Sequence, residues 1–261
     1  MTTPPSVYWI TGAGSGIGLA LARALARRGD HVIASGRRPE ALAALQQEFP
    51  DNMTPLPVDV TDKVAMEDLF GRPEVAHLKR LDGVILSAGI CEYVHVDNLD
   101  PTLFERVMQT NFQGAVLSTR AALPLLRQSA ASASRPAVLA AVSSMSTYVG
   151  FPRAQAYGAS KAALSYFLDS LRCDLAPGIS VCTIYPGFIE TPMTEQNDFP
   201  MPMMLSAEQA AHRILSALEK RPRRIVLPWR MHALLTLARA LPGIWYGMAI
   251  PRLTRQRRVA P

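Results

Sequence analysis

Short runs of β-branched and apolar residues alternate along the chain with longer stretches whose apolar residues recur at helical spacing. The runs at 7–11, 31–35, 53–58, 83–87, 137–143, 180–185 and 224–227 read as strands, and 17–28, 39–49, 63–70, 101–127, 154–175 and 207–220 as helices. Each helical stretch is long enough to carry the chain back across a sheet in a right-handed crossover. The pattern therefore predicts an α/β fold, a doubly wound seven-stranded parallel sheet with helices on both faces.

Several boundaries are written in local chemistry. Asp100 followed by Pro101 predicts an N-cap with proline in the first helical position, and Ser206 with Gln209 three residues on is a capping box. Pro177-Gly178 closes the helix over 154–175. The Ala/Ser stretch 129–134 reads as an exposed loop. Residues 186–202 hold Pro186, Pro192, Pro200 and Pro202 with little helical period, and an irregular piece that long suggests a lid. The expected organisation is one domain over 1–228 with its lid at 186–205, extended by an apolar and basic segment over 229–261.

Composition narrows the class. With 49% apolar and 18% charged residues the 261-residue chain can bury a core and is not expected to be disordered. The net charge of +6 is uneven, with Arg221, Arg223, Arg224, Arg230, Arg239, Arg252, Arg255, Arg257 and Arg258 crowding the end. No aromatic platform or recognition helix accompanies them, so nucleic acid is not an expected partner. Cys91, Cys173 and Cys182 have neither disulfide-framework nor metal-site spacing, and no export signal opens the chain, so a reducing, cytoplasmic setting is expected and no metal.

Thr11-Gly12-Ala13-Gly14-Ser15-Gly16-Ile17-Gly18 follows the first strand and leads into a helix. Glycines at that turn let backbone approach a pyrophosphate, whose charge the helix N-terminus receives; tight strand-to-helix turns also use glycine for steric reasons alone. At the end of the second strand, where a carboxylate would accept from a ribose 2′-hydroxyl, stand Arg37 and Arg38, which suit a 2′-phosphate and favour NADP(H) over NAD(H). Asp59 and Val60 end the third strand, placed either to meet an adenine edge or, for Asp59, to cap the next helix. Tyr157 and Lys161 are four residues apart on one helical face, where an ammonium favours the phenolate and lets Tyr act as a general acid or base. Ser144 closes the fifth strand at the edge where open sheets bind ligands, with Ser143 beside it, and Asn111 stands in mid-helix, against its propensity.

In their order and spacing over about 6–228, these motifs resemble the short-chain dehydrogenase/reductase family: TGAGSGIG, Asp59, Ser87-Ala88-Gly89, Asn111, Ser144, Tyr157 with Lys161, and Pro186-Gly187 with Thr191. The resemblance implies a Rossmann-like fold and hydride transfer between NAD(P)(H) and an alcohol or carbonyl. It implies that Tyr157 exchanges a proton with the substrate oxygen, that Lys161 holds the nicotinamide ribose and lowers the phenol's pKa, and that Ser144 positions the substrate. It further implies that Asn111 anchors a relay water, that Gly12, Gly14, Ser15, Gly16, Ile17, Gly18, Ala88 and Gly89 belong to the cofactor site, and that Ile189 and Thr191 meet the carboxamide. Leu86 replaces an asparagine that in relatives supports the centre of the sheet, which bears on local rigidity.

Phe188, Met193, Phe199, Met201, Met203 and Met204 make the expected lid thioether- and aromatic-rich, which predicts an apolar carbonyl or secondary-alcohol substrate, steroid-, retinoid- or lipid-like. Residues 229–258 could meet a membrane surface, pack over the cleft or meet a second subunit, and a homodimer or homotetramer is expected from the resemblance. The alternative to an enzyme is a sensor or scaffold that binds NADP(H) without turnover.

Overall fold

The computed structural model describes residues 5–132 and 135–250. Its elements in order are β1 (Val7–Thr11), α1 (Gly16–Arg27), β2 (His31–Gly36), α2 (Pro39–Glu48), β3 (Met53–Pro57), α3 (Lys63–Glu67), β4 (Gly83–Leu86), α4 (Pro101–Met108), α5 (Gly114–Ser132), β5 (Ala137–Val142), α6 (Gln155–Leu175) and β6 (Ile179–Pro186). There follow β7 (Ile189–Glu190), α7 (Pro192–Glu195), β8 (Leu205–Ser206), α8 (Ala207–Leu218), β9 (Arg224–Leu227), α9 (Trp229–Ala240) and α10 (Pro242–Ile244). Seven strands form one parallel sheet in the order β3-β2-β1-β4-β5-β6-β9, the expected doubly wound Rossmann-like architecture.

Strand residues alternate between two apolar layers. Ile10, Ala34, Ile85 and Ile184 point to the face covered by α1 and α8, packing on Leu21, Leu25 and Ile214. Their neighbours Trp9, Ile33, Val84 and Val181 point to the other face, against Leu126 of α5 and Leu164 and Leu168 of α6. The indole Nε1 of Trp9 donates to Ser35 Oγ at 2.9 Å, so the one polar atom of that buried ring is satisfied within the sheet. Leu86 is buried in the second layer. Beyond it Ser87 N and Ala88 N donate to Thr11 Oγ1 at 3.2 and 3.3 Å, tying the ends of β1 and β4 together where the family's asparagine is missing.

The caps at Asp100 and Ser206 form as expected, the latter with both reciprocal bonds. Three expectations are corrected. The helix expected over 101–127 runs without a break from Pro101 to Ser132, but it is not regular: Gln109–Gln113 widen it into a π turn between α4 and α5. The side chain of Asn111 in that turn bonds the backbone of Ile90. The loop over 129–134 begins later than expected, because α5 runs to Ser132; alanine favours helix, and Ser129 Oγ donates to Asp82 Oδ1 at 2.7 Å. Residues 133–134 lie outside the described residues. The stretch 186–202 is not wholly irregular, for Thr191 and Thr194 form a capping box that starts α7, and β7 pairs with β8.

Two glycines fix how the first turn sits on the sheet. Gly12 has φ +71°, and a Cβ there would lie 2.7 Å from Ala88 N, so both conformation and space exclude a side chain. A Cβ at Gly18 would lie 2.2 Å from Gly12 O, so the helix can approach the turn only as glycine. Gly18→Ala should therefore lower the unfolding free energy by about 2 kcal/mol or more, measured by urea denaturation. A loss below about 0.5 kcal/mol would show that the turn yields freely.

Candidate active site

The C-terminal edges of β1, β2, β4, β5 and β6 open onto one cleft of about 270 Å³. Its walls include Gly12, Gly14, Ser15, Gly16 and Ile17 of the first turn and Arg37, Arg38, Asp59 and Val60 beyond β2 and β3. Ala88, Gly89, Ser144, Tyr157, Lys161, Pro186, Gly187, Ile189 and Thr191 complete the expected set that lines it. Two expected residues do not. Gly18 lies behind the turn, where its role is close packing, and Asn111 is buried behind Gly89 and Ile90.

Asn111 is bonded on both amide atoms. Its Oδ1 accepts from Ile90 N at 2.8 Å, and its Nδ2 donates to Ile90 O and to Ser160 Oγ, each at 2.9 Å. It thereby joins the segment after β4 to α6 next to Tyr157 and Lys161. Thr110, its neighbour in the π turn, does reach the cleft wall, and sequence reasoning missed it.

Lys161 is buried, at 4% exposure, and its Nζ donates to the carbonyl of Val142 at 2.8 Å. The chain meets that carbonyl at the end of β5, where the sheet ladder stops. Ser144, two residues on, caps a short 3₁₀ turn over Met145–Thr147 by accepting from Ser146 N at 3.1 Å. Ser143 is buried; its Oγ donates to Lys161 O at 3.2 Å and lies 2.7 Å from Ser165 Oγ, so it fastens β5 to α6. Of the two serines, Ser144 is the one bonded to the phenol.

The electrostatics depart from what the family resemblance implies. Burial pushes the Tyr157 phenol up to about 12, against a weaker pull downward from its hydrogen bond with Ser144. Lys161 Nζ lies 5.8 Å from the centroid of that ring, but burial pushes the ammonium down to about 8 and weakens its hold as a cation. The expected lowering of the phenol is therefore reversed. The Cys91 thiol nearby is pushed up to about 11 by burial, so it adds no thiolate at neutral pH.

The turn fits a phosphate-bearing group. Ser15 is the N-cap of α1, yet its hydroxyl makes no capping bond, and no acidic side chain occupies the first turn. Arg38 reaches back over the turn, its guanidinium donating to Gly14 O at 2.9 Å, and neither Arg37 nor Arg38 is in an ion pair among the described residues. The Asp59 carboxylate is occupied locally, accepting from Thr61 N and Thr61 Oγ1 at 2.9 and 2.8 Å, whereas Asp62 caps α3.

The segment over the cleft is tied down at its far end. Asp198 pairs with Arg153, Asn197 accepts from the Tyr93 hydroxyl, and Phe199 packs edge-on against Tyr93 and Phe188. Met193 lines the cleft, while Met203 and Met204 are largely exposed.

A sheet edge of this kind, with a glycine turn at one end and a serine, tyrosine and lysine at the other, defines a dinucleotide-dependent oxidoreductase site. The family described as short chain dehydrogenase matches residues 6–200, and the chain belongs to it. It is 34% identical over 248 residues to an uncharacterised oxidoreductase of Myxococcus xanthus, covering 94% of this chain and 96% of that one. It is 35% identical over 197 residues to 11-beta-hydroxysteroid dehydrogenase 1A of Arabidopsis thaliana, covering 74% of this chain and 55% of that protein, so it spans about half of that relative's length. A solved short-chain dehydrogenase from Streptomyces avermitilis superposes with TM-score 0.77 at 26% identity, covering 94% of this chain and 98% of that one. A 3-ketoacyl-(acyl-carrier-protein) reductase from Brucella melitensis, solved with NADH, shares the fold with TM-score 0.76 at 23% identity over 85% of this chain and 96% of that one.

The two displaced pKa values give a prediction with a definite sign. Lys161 lies below its ordinary 10.5, so between about 8 and 10.5 the unfolded chain holds a proton that the folded chain has released, and this group's contribution to stability rises with pH, opposed above 9 by the Cys91 and Cys182 thiols, which burial pushes up to about 11 and about 12. Tyr157 lies above its ordinary 10.0, so between 10 and about 12 the sign reverses. Lys161→Met should flatten the rise; urea unfolding at steps from about pH 7 to about pH 10 reads it, and equal slopes in both proteins would contradict it.

Proposed function

We propose that the protein is an NADP(H)-dependent reductase of apolar ketones and aldehydes, working reversibly on the corresponding secondary alcohols, with steroid-, retinoid- or lipid-like substrates. The observation that carries this reading is the meeting of Ser144, Tyr157 and Lys161 in one cleft, on the substrate side of the glycine turn.

A bound reduced nicotinamide supplies the hydride to the carbonyl carbon. The chain's own residues do the rest. Ser144 holds the substrate oxygen by hydrogen bonding beside the phenol. Tyr157, kept protonated at neutral pH by burial, gives its proton to the oxygen as it gains charge, and the product is the alcohol. Lys161 binds the ribose of the cofactor and passes a proton back to the phenol; with its own value near 8 it exchanges readily at working pH. Asn111 acts as a positioning residue, holding the π turn whose carbonyls would bind a relay water.

Preference for NADP(H) follows from the charge at the end of β2. Arg37 and Arg38 are exposed, on the cleft wall and in no ion pair among the described residues, and the end of β2 carries no carboxylate to accept from a 2′-hydroxyl. The apolar substrate is supported by Met193 on the cleft wall, and by the resemblance to a protein named for hydroxysteroid oxidation. Assembly as a homodimer or homotetramer belongs to the same proposal, with the outward-facing Tyr166 on α6, 80% exposed, as a contact surface.

Tyr157→Phe should lower kcat on the best apolar ketone by about a hundredfold or more while NADPH binding stays close to wild type. Unchanged turnover would overturn the assignment. Replacing Arg37 and Arg38 together by serine should raise KM for NADPH about tenfold or more and leave KM for NADH nearly unchanged, and equal loss for both cofactors would contradict a 2′-phosphate site.

A further inference from the structure

Between β7 and α8 the chain leaves the body of the protein and returns to it. Ile189 and Glu190 pair with Leu205 and Ser206, and Leu205 N donates to Phe188 O at 3.1 Å, so the two ends of the excursion meet at its base. Its first part faces the cleft: Thr191, Pro192, Met193 and Thr194 line it, and Thr191 Cγ2 lies 3.0 Å from where a Cβ on Gly16 of the glycine turn would stand. From Glu190 to Gln209 not one residue is buried. A segment with no side chain in a core is held by its surface contacts and belongs to the least stable part of a fold.

Its outer end is held by side chains at one place. Asp198 pairs with the Arg153 guanidinium, Asn197 accepts from the Tyr93 hydroxyl and donates through Nδ2 to Met201 Sδ at 3.1 Å, and Phe199 lies edge-on to Tyr93 at 6.3 Å. The receiving side is anchored in the body. Arg153 stacks over the Tyr93 ring at 4.5 Å, its carbonyl accepts from Val94 N at 3.0 Å, and Val94 is buried with Val107 of α4 and Ala156 of α6. Arg153 has φ +65°, in the left-handed region that favours glycine. That conformation costs stability in any residue with a Cβ, and here it lays a cation across Tyr93, where Asp198 meets it. The Arg153 side chain is 23% exposed and that of Asp198 60%, so the pair forms in reach of water and is weak enough to break and re-form.

We propose that Arg153 is a positioning residue: with Tyr93 it clasps the tip of a flap formed by residues 191–204 and hinged at the β7–β8 pair, and the clasp sets how often the cleft opens. Because Thr191, Pro192, Met193 and Thr194 ride on the flap, each opening of the clasp removes one wall of the cleft. The consequence for cofactor exchange rests on the dinucleotide reading above, whereas the clasp itself does not.

Carbon-13 methyl relaxation dispersion at Met193, recorded on the full chain without added nucleotide, reads the open population. Asp198→Asn and Arg153→Gln should each raise it about threefold or more, and the double variant should open no further than the more open single. Arg153→Lys, which keeps a cation for Asp198, should stay closer to wild type than Arg153→Gln. The methyl shifts of Met145 and Met231, buried together in the body, should not move, as they would if the whole fold loosened. Stopped-flow NADPH fluorescence reads the consequence: in Asp198→Asn, association and dissociation should both quicken about threefold or more while Kd stays within about twofold, because a flap gates entry and exit alike. An unchanged Met193 in both single variants, additive effects in the double, or faster dissociation without faster association would overturn the proposal. Failure of NADPH to bind at all would count against the cofactor reading and leave the methyl measurement to decide on the clasp, so the two fail separately.

Discussion

The site depends on one hydrogen bond, from the buried Nζ of Lys161 to the carbonyl of Val142. It joins α6 to the last residue of β5. An ammonium buried at that depth loses most of its hydration, and a single carbonyl replaces only part of it, which is why its proton is held loosely. The same anchoring sets the rotation of α6 about its axis. With Lys161 turned toward the sheet, Tyr157 one turn earlier must stand over Ser144, and Ser143 behind it closes the joint through Ser165.

Around that joint, neighbouring elements limit movement from three directions. Asn111 spends both ends of its amide on Ile90 and Ser160 from within the π turn that joins α4 to α5 at the cleft wall. Thr11 holds the ends of β1 and β4 together, and Gly12 and Gly18 let α1 and its turn lie against them without side chains between. Arg153, Tyr93, Asp198 and Asn197 tie the far end of the covering segment to the wall beyond β4. The C-terminal helix fills the remaining side and presents its other face outward.

Much of the architecture was legible in the chain because its signals are local. The seven strand runs, the caps at Asp100 and Ser206 and the glycine turn each state their element within a few residues, and the crossover lengths between strands imply parallel pairing. What was not legible depends on contacts distant in sequence. The partners of Asn111 in the π turn, Ile90 and Ser160, are distant in sequence, and helical periodicity over 101–127 carries no trace of either. Thr110 on the cleft wall could have been found only from that turn. The pKa of Tyr157 was expected to fall because spacing reports the nearby ammonium, whereas burial, the larger effect, belongs to the folded packing.

In the proposed reaction, a phenol that stays protonated beside a lysine that releases its proton easily is arranged to donate. The most direct test is an NMR pH titration of the ligand-free protein carrying ¹³Cζ-tyrosine and ¹⁵Nζ-lysine. Lys161 should lose its proton first, with a midpoint near 8, and Tyr157 should remain protonated until about 12. Ionisation of Tyr157 before Lys161 would contradict the account.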